Sequence, residues 1–312
     1  MGIILASSRA HNSPCIPCPE GYVPGNPGTF EELHKKVKDL YPPIFEGAKL
    51  RVKRCHNEGF FTVHSLTLSS MTPSGYKLGT CYTGSKHVGR LERYPMIMGE
   101  LMPNGNLATT FVHTLGCRLR VKHVNQIVKQ KFEASSSTID YRSDEATFSI
   151  TLDNPDFSKC TGTLVVHYLQ ALSNRLTAGT EFAFHRSQLI PGGQESMIAL
   201  ALRYSTGLQT FSATIGNAGL HFCYHHKASQ QLQLGVELET SLASHDSSAG
   251  IFYQLDVPDA DIVFRGMVNT KLTVGGVLEK KLYPIPDSSL ILSVMLNHGT
   301  QHFQVGIGLN VG

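Results

Sequence analysis

The sequence predicts an all-β protein of about nineteen strands, and three observations carry that prediction. From about residue 47 to the last residue, apolar and polar side chains alternate with a period of two. The alternating runs last roughly 8–11 residues, and clusters rich in Pro, Gly, Asn and Asp separate them. About 265 residues divided among nineteen strands leave roughly fourteen for each strand and its turn, which suits hairpins.

Residues 1–25 are rich in Pro, Ser, Gly and Asn and show no period, so they read as a flexible tail. Met1–Ser8 begins apolar but lacks a basic flank and is too short for a secretory signal. Ala6 stands where a myristoylation pattern wants Ser or Thr. Arg9 alone precedes Glu31 and Glu32, unlike an Arg-rich presequence, so any organelle address is expected inside the chain. Cys15 and Cys18 have redox spacing, but their Pro-rich surroundings offer no βαβ context, and two ordinary thiols are expected.

Residues 26–46 are expected to hold one helix and a linker. Pro27-Gly28 breaks the chain, and Thr29 followed by Glu32 makes a capping box. Phe30, Leu33, Val37 and Leu40 fall along one face at helical spacing. Lys35, Lys36 and Lys38 suit the negative end of the helix dipole, and Pro42-Pro43 stops the helix after about three turns. Its narrow apolar stripe needs a surface, for which Phe252, Val263 and Val277 are candidates.

Residues 47–312 hold the strands. The clearest runs place Leu232, Leu234, Val236 and Leu238 on one face, then Leu272, Val274, Gly276 and Leu278. Leu290, Leu292, Val294 and Leu296 follow, and Phe303, Val305, Ile307, Leu309 and Val311 close the chain. Ala146, Phe148, Ile150 and Leu152, and Leu176, Ala178, Thr180, Phe182 and Phe184, are earlier examples.

Such alternation fits a soluble sandwich with apolar faces inward, or a membrane barrel with apolar faces outward. Three features favour the barrel. The strands run on without a shift in composition, their length matches a tilted bilayer crossing, and their polar faces hold Gly, Thr, Ser and isolated charges. Closure also leaves no open edge in lipid. An odd count requires the first and last strands to pair in parallel, as in the nineteen-stranded mitochondrial anion channel VDAC.

Composition limits the rest. Charged residues make up 16%, below the usual quarter, and a net charge of +3 is too mild to imply nucleic acid. Hydrophobic content of 41% excludes general disorder, and no apolar run reaches the roughly 18 residues of a membrane-spanning helix. Seven scattered cysteines disfavour a disulfide framework.

Asn26-Pro-Gly-Thr-Phe-Glu-Glu-Leu-His-Lys-Lys resembles the barrel lead-in of the channel-forming, forty-kilodalton subunits of the TOM complex, the protein translocase of the mitochondrial outer membrane. HYLQALS (His167–Ser173), HKASQQLQLGVELE (His226–Glu239), YQLDVPDADIVFRG (Tyr253–Gly266) and VGGVLEKKL (Val274–Leu282) match in the same order. The resemblance implies a nineteen-stranded transmembrane β-barrel, integral to the outer membrane, with the helix inside the lumen. It implies import of precursor proteins bearing basic presequences. Implied partners are receptor subunits, small helical subunits at the wall and a second barrel in a homodimer. Gln304-x-Gly306-x-x-Leu309-x-Val311 resembles the family's C-terminal β-signal, read by the mitochondrial sorting machinery. A VDAC-like metabolite or anion porin is the alternative, with the same fold and a different passenger.

A translocation pore needs weak, distributed contacts rather than a nucleophile. Acidic side chains opposite the apolar faces suit basic presequences: Glu181, Glu237, Glu239, Asp256 and Glu279. His185, Arg203, Arg265 and Lys271 are expected beside them. Phe30, Leu33, Val37 and Leu40 would brace the helix or contact substrate. No cofactor is expected. His221, His225 and His226 do not suggest a metal site, because residues four apart on a strand stand about 13 Å apart and His226 points the other way. No motif assembles a catalytic site, so an enzyme is not expected.

Overall fold

The computed structural model describes residues 25–71, 74–88, 92–116, 118–156, 161–187, 192–242, 244–283 and 287–312. The expected tail, apart from Gly25, lies outside the described residues, as do Cys15 and Cys18.

Nineteen strands form one sheet in which each pairs with its neighbours in chain order. The first six are β1 (Gly47–Asn57), β2 (Phe60–Leu68), β3 (Gly75–Val88), β4 (Glu92–Leu101), β5 (Leu107–Leu115) and β6 (Leu119–Val128). Then come β7 (Lys131–Arg142), β8 (Ala146–Asp156), β9 (Thr161–Ala171), β10 (Leu176–Arg186), β11 (Gln194–Ser205) and β12 (Gln209–Gly216). The last seven are β13 (Gly219–Lys227), β14 (Leu232–Ser241), β15 (Asp246–Val257), β16 (Ile262–Asn269), β17 (Thr273–Lys281), β18 (Ser289–Asn297) and β19 (His302–Val311).

All sequential pairs are antiparallel. The seam between β1 and β19 is parallel, running from Gly47 opposite Gly306 to Val52 opposite Val311. An odd number of alternating strands makes this unavoidable. Closure satisfies the last free edge, so each strand has a hydrogen-bonded neighbour on both sides.

The alternation sorts the two faces as the sequence predicts. Leu200, Val236, Ile251, Val294 and Ile307 stand exposed on one face. The opposite positions carry the polar and small residues. Segment 26–45 lies against that second face, touching wall residues from β6 to β19, which identifies it as the inside. Fourteen strands spaced about 4.8 Å apart span at least about 62 Å around the outer perimeter. A partly helical segment of this length cannot cover that distance, and only a path across the interior fits.

The helix differs from its prediction. Instead of about three continuous turns, a 3-10 turn at Phe30–Glu32 precedes α1 (Lys35–Lys38). Between them His34 leaves helical geometry at φ −99° and ψ 6°. The reason is side-chain anchoring: both His34 ring nitrogens engage wall hydroxyls, Nδ1 with Ser212 Oγ at 2.8 Å and Nε2 with Thr214 Oγ1 at 2.9 Å. The apolar stripe survives the break, with Leu33, Val37 and Leu40 each 2% exposed.

Val236, at the middle of β14 and 42% exposed, tests the outward assignment. Val236→Arg is expected to destabilise the barrel by about 2–4 kcal/mol in denaturant titrations of bilayer-reconstituted protein. A cost below about 1 kcal/mol would place this position away from hydrocarbon.

Candidate functional site

The candidate site is the inner wall together with the segment laid across it. Asn26 Nδ2 donates to the Ser143 carbonyl at 2.6 Å, and Thr147 Oγ1 donates to Asn26 Oδ1 at 3.0 Å. Arg203 Nη2 donates to the Pro27 carbonyl at 2.6 Å. Thr29 N–H donates to Glu32 Oε2 at 3.2 Å, one half of the predicted capping box. Phe30 stacks on His167 with ring centroids 4.5 Å apart.

Two apolar clusters then hold the stripe. Leu33 packs with Leu169 and Ala201, and Val37 and Leu40 pack with Cys223 and Phe252. Each fully buried aliphatic side chain contributes about 1.5–3 kcal/mol. Of the three docking residues expected, Phe252 takes part, while Val263 and Val277 belong to neither cluster. The helix lies farther back along the wall because Gly235 opens the space there. A Cβ at Gly235 would stand 2.8 Å from Leu40 Cδ1 and 3.3 Å from Val37 Cγ1.

The linker continues over the wall in strand order. Tyr41 stacks on Phe252 at 4.1 Å, Ile44 lies over Gly275, and Phe45 covers Gly306 and Gly308. Phe45 N–H donates to Ser293 Oγ at 3.1 Å. Gly306 therefore has a local steric reason for being glycine, since a side chain there would strike the Phe45 backbone. Gln304 shares its inward face, whereas Leu309 and Val311 point outward with Ile307, by the parity of β19.

The five acids all occupy inward positions, in three places. Glu237 and Glu239 share β14, and Glu237 Oε1 lies 2.7 Å from His221 Nε2. Asp256 and Glu279 flank Val263 from either side and so sit at one level of the wall. Asp256 accepts from Gln254, whose Oε1 accepts from Arg265 Nε, and Glu279 accepts from Ser289. Glu181 lies apart on β10, paired with His167 at 3.2 Å. His185 contacts Thr163 Oγ1 on the same wall. Lys271 sits instead in the turn after β16, bound to Asp246 at 2.9 Å, because the strand ends at Asn269.

Two features escaped the sequence reading. Lys49, Arg51 and Lys53 alternate along the inner face of β1, and Ser65 lies between Arg51 and Lys77 of β3, giving a basic strip. The Lys-x-Arg-x-Lys spacing at the start of the strand region was its available signal. The second lies outside. On β6 and β7 the face that carries Leu119, Ile139 and Tyr141 also presents His123, Asn125, Ser135 and Ser137. His123 Nδ1 meets Ser137 Oγ at 2.8 Å, and Asn125 Nδ2 lies 2.9 Å from His123 Nε2.

His226 faces outward, opposite Leu234, whereas His221 and His225 face inward. The helix brings His34 beside His221, with ring centroids 4.2 Å apart. Burial, then the neighbouring His221 and Lys38, push the His34 imidazole down to about 3, so it is neutral at physiological pH.

Comparison with known proteins agrees over most of the chain. The eukaryotic porin family matches residues 26–306. A Drosophila melanogaster protein named mitochondrial import receptor subunit TOM40 homolog 2 is 41% identical, over 92% of this chain and 84% of that one. The human TOM40 homolog is 39% identical over 98% and 82%, and that of Caenorhabditis elegans 38% over 92% and 95%.

Gly235→Val is expected to displace Val37 and Leu40 while leaving the strand intact. In detergent-folded protein, protease cleavage within residues 26–46 should then quicken at least tenfold, with the barrel still migrating as a folded species. Unchanged cleavage would show that the helix does not depend on this contact.

Proposed function

The chain belongs to the eukaryotic porin family, among proteins named mitochondrial import receptor subunit TOM40, and on that premise we propose that it is a protein-conducting channel of the mitochondrial outer membrane. The observation that carries the proposal is the likeness to those relatives along nearly the whole chain. The size of the bore supports it. Nineteen strands about 4.8 Å apart and tilted about 40° make a ring of roughly 38 Å between backbones. Inward side chains and a helix about 10 Å wide leave roughly 15–20 Å, enough for an extended polypeptide.

In this reading presequence-bearing precursors cross the barrel unfolded, and the chain performs no covalent chemistry. A passenger with a basic, amphipathic leader meets acids that already hold partial partners: His221, His167, Gln254 and Ser289. Exchange between such contacts costs little, which favours sliding over capture. Glu239, Asp256 and Glu279 are the members we assign to that path.

The proposal extends to assembly. Polar groups facing hydrocarbon are expensive unless covered. His123, Asn125, Ser135 and Ser137 make the outer wall of β6–β7 a seat for a helical membrane subunit of the import complex. Receptor subunits and a second barrel complete the proposed complex.

Planar-bilayer conductance tests the channel. The reconstituted chain is expected to prefer cations and to show voltage-dependent block by a basic presequence peptide. Asp256→Asn with Glu279→Gln should weaken that block several-fold, while an equally long neutral peptide has no effect. An anion-preferring pore indifferent to the peptide would point to a metabolite porin instead.

A further inference from the structure

We propose that His34, His221 and Cys223, with Glu237 beside them, form a site for a zinc-class divalent cation that ties the N-terminal helix to the barrel wall. One ligand atom from each of the first three lies within 4.8 Å of the others. His221 Nε2 stands 3.4 Å from Cys223 Sγ and 2.7 Å from Glu237 Oε1. Zinc bonds of about 2.0–2.3 Å at tetrahedral angles require ligand atoms about 3.3–3.6 Å apart, so His34, His221 and Cys223 have to draw together by roughly 1 Å, and Glu237, in contact with His221, turns in as the fourth ligand.

The fold supplies these ligands for identifiable reasons. His221 and Cys223 are two apart on β13 and so share its inner face. Glu237 is the register partner of Cys223 on β14. His34 arrives from the break before α1, held there by the packing of Leu33 and Val37. Cys223 is 1% exposed and His34 8%, which shields the site from bulk water. Two imidazoles, a thiolate and a carboxylate form a borderline-soft donor set of the kind zinc takes.

Outer-shell groups are also in place. His34 contacts Ser212 Oγ and Thr214 Oγ1 through its two nitrogens. When one nitrogen turns to the cation, the other keeps a hydroxyl partner and its tautomer is fixed. Binding displaces the Cys223 thiol proton to solvent, while His221 stays a neutral imidazole, its ring proton carried on Nδ1 once Nε2 turns to the cation. The cation then joins the inner helix to β13 and β14. His225 and His226 play no part, since β13 carries them away from His34.

The test uses the full chain, folded in detergent and stripped with a chelator, carrying Cys15→Ser and Cys18→Ser to remove the upstream pair. Titration with Co(II) should give one equivalent with a thiolate charge-transfer band and tetrahedral visible bands, both displaced by Zn(II). Cys223→Ser should abolish the charge-transfer band, and His34→Gln should weaken binding at least tenfold. Zn(II) should slow protease cleavage within residues 26–46 in the unsubstituted site only. His34 lies off the strands, so His34→Gln decides the matter should Cys223→Ser fail to fold. No thiolate band in the folded chain, or a band unchanged by these substitutions, would overturn the proposal.

Discussion

A backbone amide in hydrocarbon has no water to turn to, and that constraint organises this chain. Each strand needs a neighbour on both sides, so the sheet has to close. Nineteen strands close only through a parallel seam, from Gly47 opposite Gly306 to Val52 opposite Val311. Once the ring exists, the period of two assigns every strand residue to lipid or to lumen. One slip of register would turn a whole strand inside out.

The interior is organised by a second demand: the wall must seat an apolar stripe without becoming apolar itself. Small residues do this at chosen points. Gly235 admits Val37 and Leu40, Gly275 admits Ile44, and Gly306 admits Phe45. Between these points hydroxyls and charged groups hold the segment, as Ser212 and Thr214 do for His34 and Arg203 for the Pro27 carbonyl. The outcome is a brace held from β6 to β19, with Glu239, Asp256 and Glu279 on the wall around it.

Much of this was legible in the sequence, because lipid imposes a simple rule on alternate residues. Strand number, the parallel seam and the outward set around Leu234 and Val236 follow from period and parity. The Thr29–Glu32 pair and the stripe from Phe30 to Leu40 were visible for the same reason, being local. The break at His34 was not, since its cause lies in hydroxyls on a distant strand. Nor was the pairing of His34 with His221 and Cys223, which only the path of the helix creates. The misplacement of Lys271 has a smaller origin: the alternation runs past the end of β16 into its turn.

The assignment of faces is tested most directly by nitroxide labels at positions 234 and 237 in bilayer-reconstituted protein. The label at position 234 is expected to be relaxed by lipid-dissolved oxygen and ignored by a water-soluble nickel chelate. At Glu237 the chelate should dominate. If the label at 234 is sheltered from both reagents, its side chain packs in a dry protein interior and the chain is not a membrane barrel.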